Sequence, residues 1–307
     1  MDRMDLADRA CLDRACAWVE RQRPAFRVER KRESIAAAVK AVAELAHAAD
    51  FLLRSPAARH HAAAQAWLDQ AWAELEQGEL LRELIAANPR LIPFATALLP
   101  FHLRGYRNPT LVSTIAAQAR CVRMGPLNWT LLVPVLRLLD LDPTLEMCAQ
   151  ADSLSVLQSQ PHAQAMPADA VYVLTHECMY ACGLGRYPLR GTESQAAYLR
   201  HVLPELVERF VDMKDADIVA ELLLACHAVA IQPTARAERL LIAAQSADGC
   251  VMTVDAAQLP ATLLPRFSHP RLGRHYHTTL VAIMAWAARC APGLPRDPMR
   301  LTQEQTT

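Results

Sequence analysis

Arg239-Leu-Leu-Ile-Ala-Ala-Gln-Ser246, then Ala247-Asp-Gly-Cys250, then, after a proline-containing loop, His275-Tyr-His-Thr-Thr-Leu-Val-Ala-Ile-Met-Ala-Trp286 make up the stretch that decides the fold. The first part has helical spacing and stops at Asp248-Gly249, a strong turn dipeptide. The last part predicts a second helix that starts near His275 to Thr278. From Thr278 onward nearly every residue is apolar or small, so this helix lacks a polar face and is expected to be buried on all sides. A helix that begins deep in a protein turns unpaired N–H groups and a positive dipole end toward whatever cavity lies there. His275, Tyr276, His277 and Thr278 surround that end, and Asp248 and Cys250 precede the loop.

Working outward, the same alternation extends toward the N-terminus. Asp215-Ala-Asp-Ile-Val-Ala-Glu-Leu-Leu-Leu-Ala-Cys-His-Ala-Val229 is almost wholly apolar after an acidic first turn, which suits the helix dipole and marks an inner helix. Glu193 to Met213 and Pro233 to Gln245 are amphipathic and predict outer helices. Val171-Tyr-Val-Leu-Thr-His-Glu-Cys-Met-Tyr-Ala-Cys182 is again inner. Inner, outer, inner, outer, inner is a repeat of irregular period. Earlier in the chain, helices are expected over Leu6 to Arg21, Ser34 to Leu53, a segment carrying Trp67 and Trp72, Leu80 to Ala87, Pro89 to Leu103, Thr110 to Val122, Leu127 to Leu139 and Pro143 to Leu157. Ser159 to Pro167 resembles a linker, but both sides are helical and alike in composition. The expectation is one all-α domain over 1–307: N-terminal helices in 1–158, hairpins in 167–291 and a short tail in 292–307.

Composition agrees. Hydrophobic residues at 52% supply a core, aromatics are only 6%, and Ala and Leu dominate, which favours helix over sheet. Lys plus Arg and Asp plus Glu balance at 32 each, so the chain lacks the positive excess of a general nucleic-acid binder. No segment reaches eighteen uncharged apolar residues and the N-terminus has no signal-peptide core, so a cytoplasmic protein that does not span a membrane is expected. Nine cysteines without a small-scaffold pattern are expected to be reduced.

Asp248-Gly249-Cys250 and Tyr276-His277-Thr278 resemble motifs of the α/α-toroid proteins, which include terpene cyclases, protein prenyltransferase β subunits and lanthionine cyclases. Their repeat has a helix ending in Gln, an Asp-Gly turn and a buried helix opening with Tyr-His-Thr. The resemblance covers about fifty residues and implies an α/α-toroid-like array of helical hairpins. In protein prenyltransferases both triplets supply zinc ligands. The resemblance therefore implies Zn²⁺ held by Asp248, Cys250 and His277, with the fourth position left to water or a substrate thiol. A thiolate bound there would stay deprotonated and attack an electrophile. The terpene-cyclase Asp-rich motifs are missing.

Without a metal, the same cavity could run acid–base chemistry. His176 and Tyr180 lie four residues apart and share a helix face, whereas His176 and Cys178 are about 200° apart, so one helix offers a cavity the histidine face or the cysteine pair. The histidine face is the stronger choice, because a buried imidazole needs a partner more than a thiol does. The same residues then serve as general acid and base, with His176 or His277 titrating near neutrality and Tyr180 or Tyr276 orienting them. Each also has a structural reading: His176 as a hydrogen-bonded core residue, His277 as a cap, Asp248 as a turn, Cys250 as packing. Cys226-His227 is expected to be structural, His60-His61 solvated, and Trp67 and Trp72 packed. P-loop, dinucleotide, His-Glu-x-x-His and Gly-x-Ser-x-Gly signatures are absent. Two functions remain: an enzyme of specialised metabolism or peptide modification acting on a small molecule or peptide in a central cavity, and a non-catalytic helical repeat presenting a groove to a peptide or partner protein. Convergence of His176, Cys250 and His277 on one closed cavity favours the first.

Overall fold

A computed structural model describes residues 6–30, 35–122, 126–187, 189, 191–253 and 270–290. The helices are α1 (Leu6–Gln22), α2 (Ile35–Arg54), α3 (His61–Glu74), α4 (Glu79–Ala87), α5 (Leu99–His102), α6 (Pro109–Cys121), α7 (Pro126–Leu138), α8 (Leu145–Leu154), α9 (Val156–Ser159), α10 (Ala168–Ala181), α11 (Glu193–Asp212), α12 (Ala216–Ala228), α13 (Ala235–Ala244) and α14 (Pro270–Cys290). Among the described residues no strand forms, and the extended spacing near Cys250 yields only an isolated bridge between Gln245 and Val251. Nor is any described helix long and apolar enough to cross a membrane. The expected tail, 292–307, lies outside the described residues, as does the loop over 254–269.

Local chemistry sets the boundaries. Asn108 accepts from the Leu111 amide at 2.8 Å with Pro109 at the first helical position, a start that satisfies one orphan donor and omits another. Thr192 and Gln195 form a reciprocal box at the start of α11. Asp215 accepts from the Asp217 and Ile218 amides at 3.1 Å and opens α12. The expected helix over Pro89 to Leu103 is instead a 3₁₀ segment, Pro89–Leu98, followed by the single turn α5. Pro93 cannot donate within it, and the tighter i→i+3 pattern tolerates that loss in short pieces. The helix expected over Pro143 to Leu157 divides at Ser155 into α8 and α9. α14 starts at Pro270, before the expected His275 to Thr278, because Pro is pre-organised for a first turn. His277 therefore sits inside the helix rather than at its end.

The inner and outer assignments hold. Every residue from Thr278 to Ala287 is buried, as are ten of thirteen in α12, while α13 buries only Ala237 and Leu241. Trp67 is buried and Trp72 packs on Phe101 with ring centroids 4.8 Å apart, as expected of packing residues. His60 contacts Asp13 at 2.7 Å, so it is paired rather than simply solvated. One hydrophobic cluster runs from Cys11 to Ala287 and joins N-terminal to C-terminal helices. Within it, α2 packs on α14, α14 on α12, α12 on α10, α10 on α7, α7 on the Pro89–Leu98 segment, and that segment on α2. These six elements close a cycle, and each lends side chains to the wall of one cavity.

Candidate functional site

The cavity has a volume of about 310 Å³. Its polar wall comes from α2 (Lys40, Glu44), α10 (Tyr172, His176, Tyr180), α12 (Glu221) and α14 (His277), and its apolar wall includes Phe51, Leu131, Leu132, Leu224, Val281 and Met284. Along α2, α12 and α14 the charged lining residues precede the apolar ones, so the charges gather toward one end. Helix sides, not the expected helix N-terminal ends, therefore form the wall. A mainly apolar cavity with a few converging polar groups is the usual build of a small-molecule site.

His277 is the hub. Its Nδ1 lies 3.0 Å from Glu44 Oε2 and its Nε2 lies 3.4 Å from Glu221 Oε1. Neither approach has hydrogen-bond geometry, and His277 Nδ1, His277 Nε2 and Glu44 Oε2 are all buried without a hydrogen-bond partner. Burial alone would favour the neutral ring, but Glu44, Asp217 and Glu221 outweigh it and hold the imidazole protonated well above the ordinary histidine range. Glu44 is held down in turn: burial opposes this, and the charges of His277 and Lys40 prevail. Lys40 Nζ lies 2.5 Å from Glu44 Oε1. Glu221, almost fully buried, accepts from Thr175 Oγ1 at 3.5 Å and is kept below the usual carboxylate range against burial by His176 and His277. Asp217 accepts from Thr278 Oγ1 and adds a third carboxylate to the group.

His176 occupies the same cavity. Its Nδ1 is 2.9 Å from the Tyr172 carbonyl, which accepts from the ring N–H, and its ring stacks on Tyr172 with centroids 4.3 Å apart. Tyr180 shares its face as expected, with centroids 5.9 Å apart. Burial pushes the Tyr180 hydroxyl up. His47, on the same wall, is 3.2 Å from the Thr96 carbonyl, and burial pulls its pKa down to about 4. Tyr276 does not line the cavity; it packs edge-on to Phe26 with centroids 6.1 Å apart and its hydroxyl bonds to Glu44.

The set Asp248, Cys250 and His277 is not brought together. Asp248 accepts from Ser246 Oγ in the turn after α13, and its carbonyl accepts from Arg21. Cys250 is buried and its sulfur accepts from Thr279 Oγ1 at 3.8 Å. Thr279 and His277 are two residues apart on α14 and point about 200° apart around its axis. Cys250 thus meets one side of the helix while His277 faces the cavity on the other. Among the described residues no group of three or more His, Cys, Asp or Glu side chains is arranged to hold a metal ion. The acid partners escaped the sequence reading, although a signal was there for one of them: Glu221 is the single charge between Ile218 and Leu224 in an apolar helical run, where a charge is seldom buried unpaired.

The charge arrangement predicts a pH dependence. A histidine whose folded pKa is raised contributes stability that is complete below its unfolded value of about 6.5 and is lost as pH rises through the folded value. Melting temperatures measured from about pH 6 to about pH 10 should therefore fall on the alkaline side, and His277→Gln should flatten that fall. A wild-type profile as flat as the variant's would show that the imidazole is not held charged.

No curated protein and no solved structure matches the chain. A family model matches residues 12–287, a span that takes in every residue lining the cavity, and by that match the chain belongs to the family described as Domain of unknown function (DUF6895).

Proposed function

We propose that the cavity is the active site of an acid–base enzyme acting on a small, largely apolar molecule in the cytoplasm. One observation carries the reading: His277 on a cavity wall, 3.0 Å from Glu44 and 3.4 Å from Glu221, two buried carboxylates that favour its charged form. In this reading the apolar wall holds the substrate's hydrocarbon body and His277 is the general acid. Glu44 and Glu221 favour its charged form and fix its position, and water returns the proton it gives up. His176, whose Nδ1 is engaged by the Tyr172 carbonyl, lines the same cavity and is the partner group for proton transfer. The ring of six elements around the cavity supports an α/α-toroid-like arrangement. A volume near 310 Å³ suits a small molecule better than a folded partner. The eight described cysteines are all free, in keeping with a reducing compartment.

The test can be run while the substrate is still unidentified. Purified protein is incubated with a small-metabolite extract of the encoding organism, and mass spectrometry follows what is consumed and what stays bound. The expected result is consumption of a discrete metabolite by the wild type and by Cys250→Ala, with loss of about 100-fold or more in His176→Gln and in His277→Gln. Retention of a metabolite without turnover would support a carrier instead. Undiminished turnover in both histidine variants would overturn the acid–base assignment.

A further inference from the structure

A second charged cluster lies where α2 ends. Asp50, fully buried on α2, is met by three guanidinium groups: Arg104 Nε at 2.7 Å and Arg186 Nη2 at 2.6 Å on Oδ1, and Arg54 Nε at 3.2 Å on Oδ2. Arg104 Nη2 also donates to the Asp50 carbonyl at 3.2 Å, and Arg54 Nη2 to the Leu184 carbonyl at 2.8 Å. Three full positive charges thus face one carboxylate, an excess of two. His47, one turn earlier on α2, is neutral at pH 7 and cannot offset it. The charges that bear on Arg54 are those of Asp50, Arg186 and Arg104.

Donors remain as well as charge. Arg54, Arg104 and Arg186 each keep Nη1 without an acceptor among the described residues, and Arg186 Nη1 is fully buried. A buried, unpaired guanidinium N–H is costly and calls for an acceptor from outside the chain, an anion or an ordered water. The side chains of Arg54, Arg104 and Arg186 are 22%, 24% and 14% exposed, so the cluster is reachable while its carboxylate is not. We propose that Arg54, Arg104 and Arg186 form a binding site for an oxyanion, the carboxylate or phosphate of a small ligand. Guanidinium forks match both groups in geometry, and the buried Asp50 holds the forks in place.

The position connects this site to the cavity. Arg54 lies over the Phe51 ring at 4.3 Å and donates to the Leu184 carbonyl, and Phe51 and Leu184 both line the cavity. Phe51 is two turns beyond Glu44 along α2, about 10 Å at 1.5 Å per residue. The arginines themselves do not line the cavity, so Phe51 and Leu184 form a shared wall between the two sites. The oxyanion site stands whether or not the cavity catalyses a reaction.

The test is calorimetric titration of the full chain with inorganic phosphate at constant ionic strength, repeated with acetate as competitor. Saturable one-to-one binding is expected in the wild type, displaced by acetate. Arg186→Lys keeps the charge but loses the fork and should weaken phosphate about tenfold or more; Arg104→Lys gives the second reading if that variant does not fold. Wild-type protein that binds neither anion, or affinity unchanged in the folded lysine variants, would overturn the site.

Discussion

His277→Gln lowers folding stability by about 3–5 kcal/mol, the cost of breaking a buried ion pair from one side. The two carboxylates are not affected alike. Glu44 retains Lys40 at 2.5 Å, whereas Glu221 is left with the Thr175 hydroxyl at 3.5 Å and His176. An uncompensated buried carboxylate is the expensive element, so neutralising it should recover more than neutralising its paired counterpart. Urea denaturation midpoints of the double variants decide this: Glu221→Gln in the His277→Gln background should restore more stability than Glu44→Gln does. Equal recovery, or a loss of under about 1 kcal/mol in the single variant, would mean that solvent screens the cluster and that the imidazole is not its organising charge.

Gly249→Ala should be comparably damaging, for a reason of backbone rather than charge. Gly249 has φ +95°, and a Cβ there would stand 2.1 Å from the Arg14 carbonyl oxygen and 2.6 Å from its carbon. Those are main-chain atoms of α1, so no side chain can swing away. The left-handed conformation costs about 1–3 kcal/mol for a non-glycine residue, and the overpacking adds about 1–3 kcal/mol. The turn is also a clamp: Arg14 Nε and Nη2 donate to Gln245 Oε1 at 3.0 and 2.6 Å, and Gln245 Nε2 donates to the Cys11 carbonyl at 2.9 Å. The variant should lose stability and expose α1 to protease, while an Asp248→Ala control stays near wild type. If Gly249→Ala melts with the wild type, α1 is not seated on this turn. The Asp-Gly-Cys triplet thus has a definite task, which is to dock the first helix.

Chain chemistry alone determined that the described residues form helices and no strand, which helices lie inside, and that His176 with Tyr180 shares a face. The apolar period and the scarcity of aromatics and glycines are enough for that, because helix formation and the choice of buried face are properties of short windows. It also singled out His277 as the residue to watch. Which groups would meet His277 was not legible. Glu44 and Glu221 come from α2 and α12, and the period states only which residues of its own helix share a face with each. Cys250 and His277 are drawn together by motif likeness, yet the two-residue step from Thr279 to His277 sends them to opposite sides of α14. Likewise Asp50, the second of two acids in an Ala-rich helix, gathers Arg54 from its own helix but Arg104 and Arg186 from distant turns. Each buried charge requires a partner, a demand that a local pattern can signal. The partner that meets it is chosen by the packing of helices far apart in the chain, and that only the tertiary structure decided.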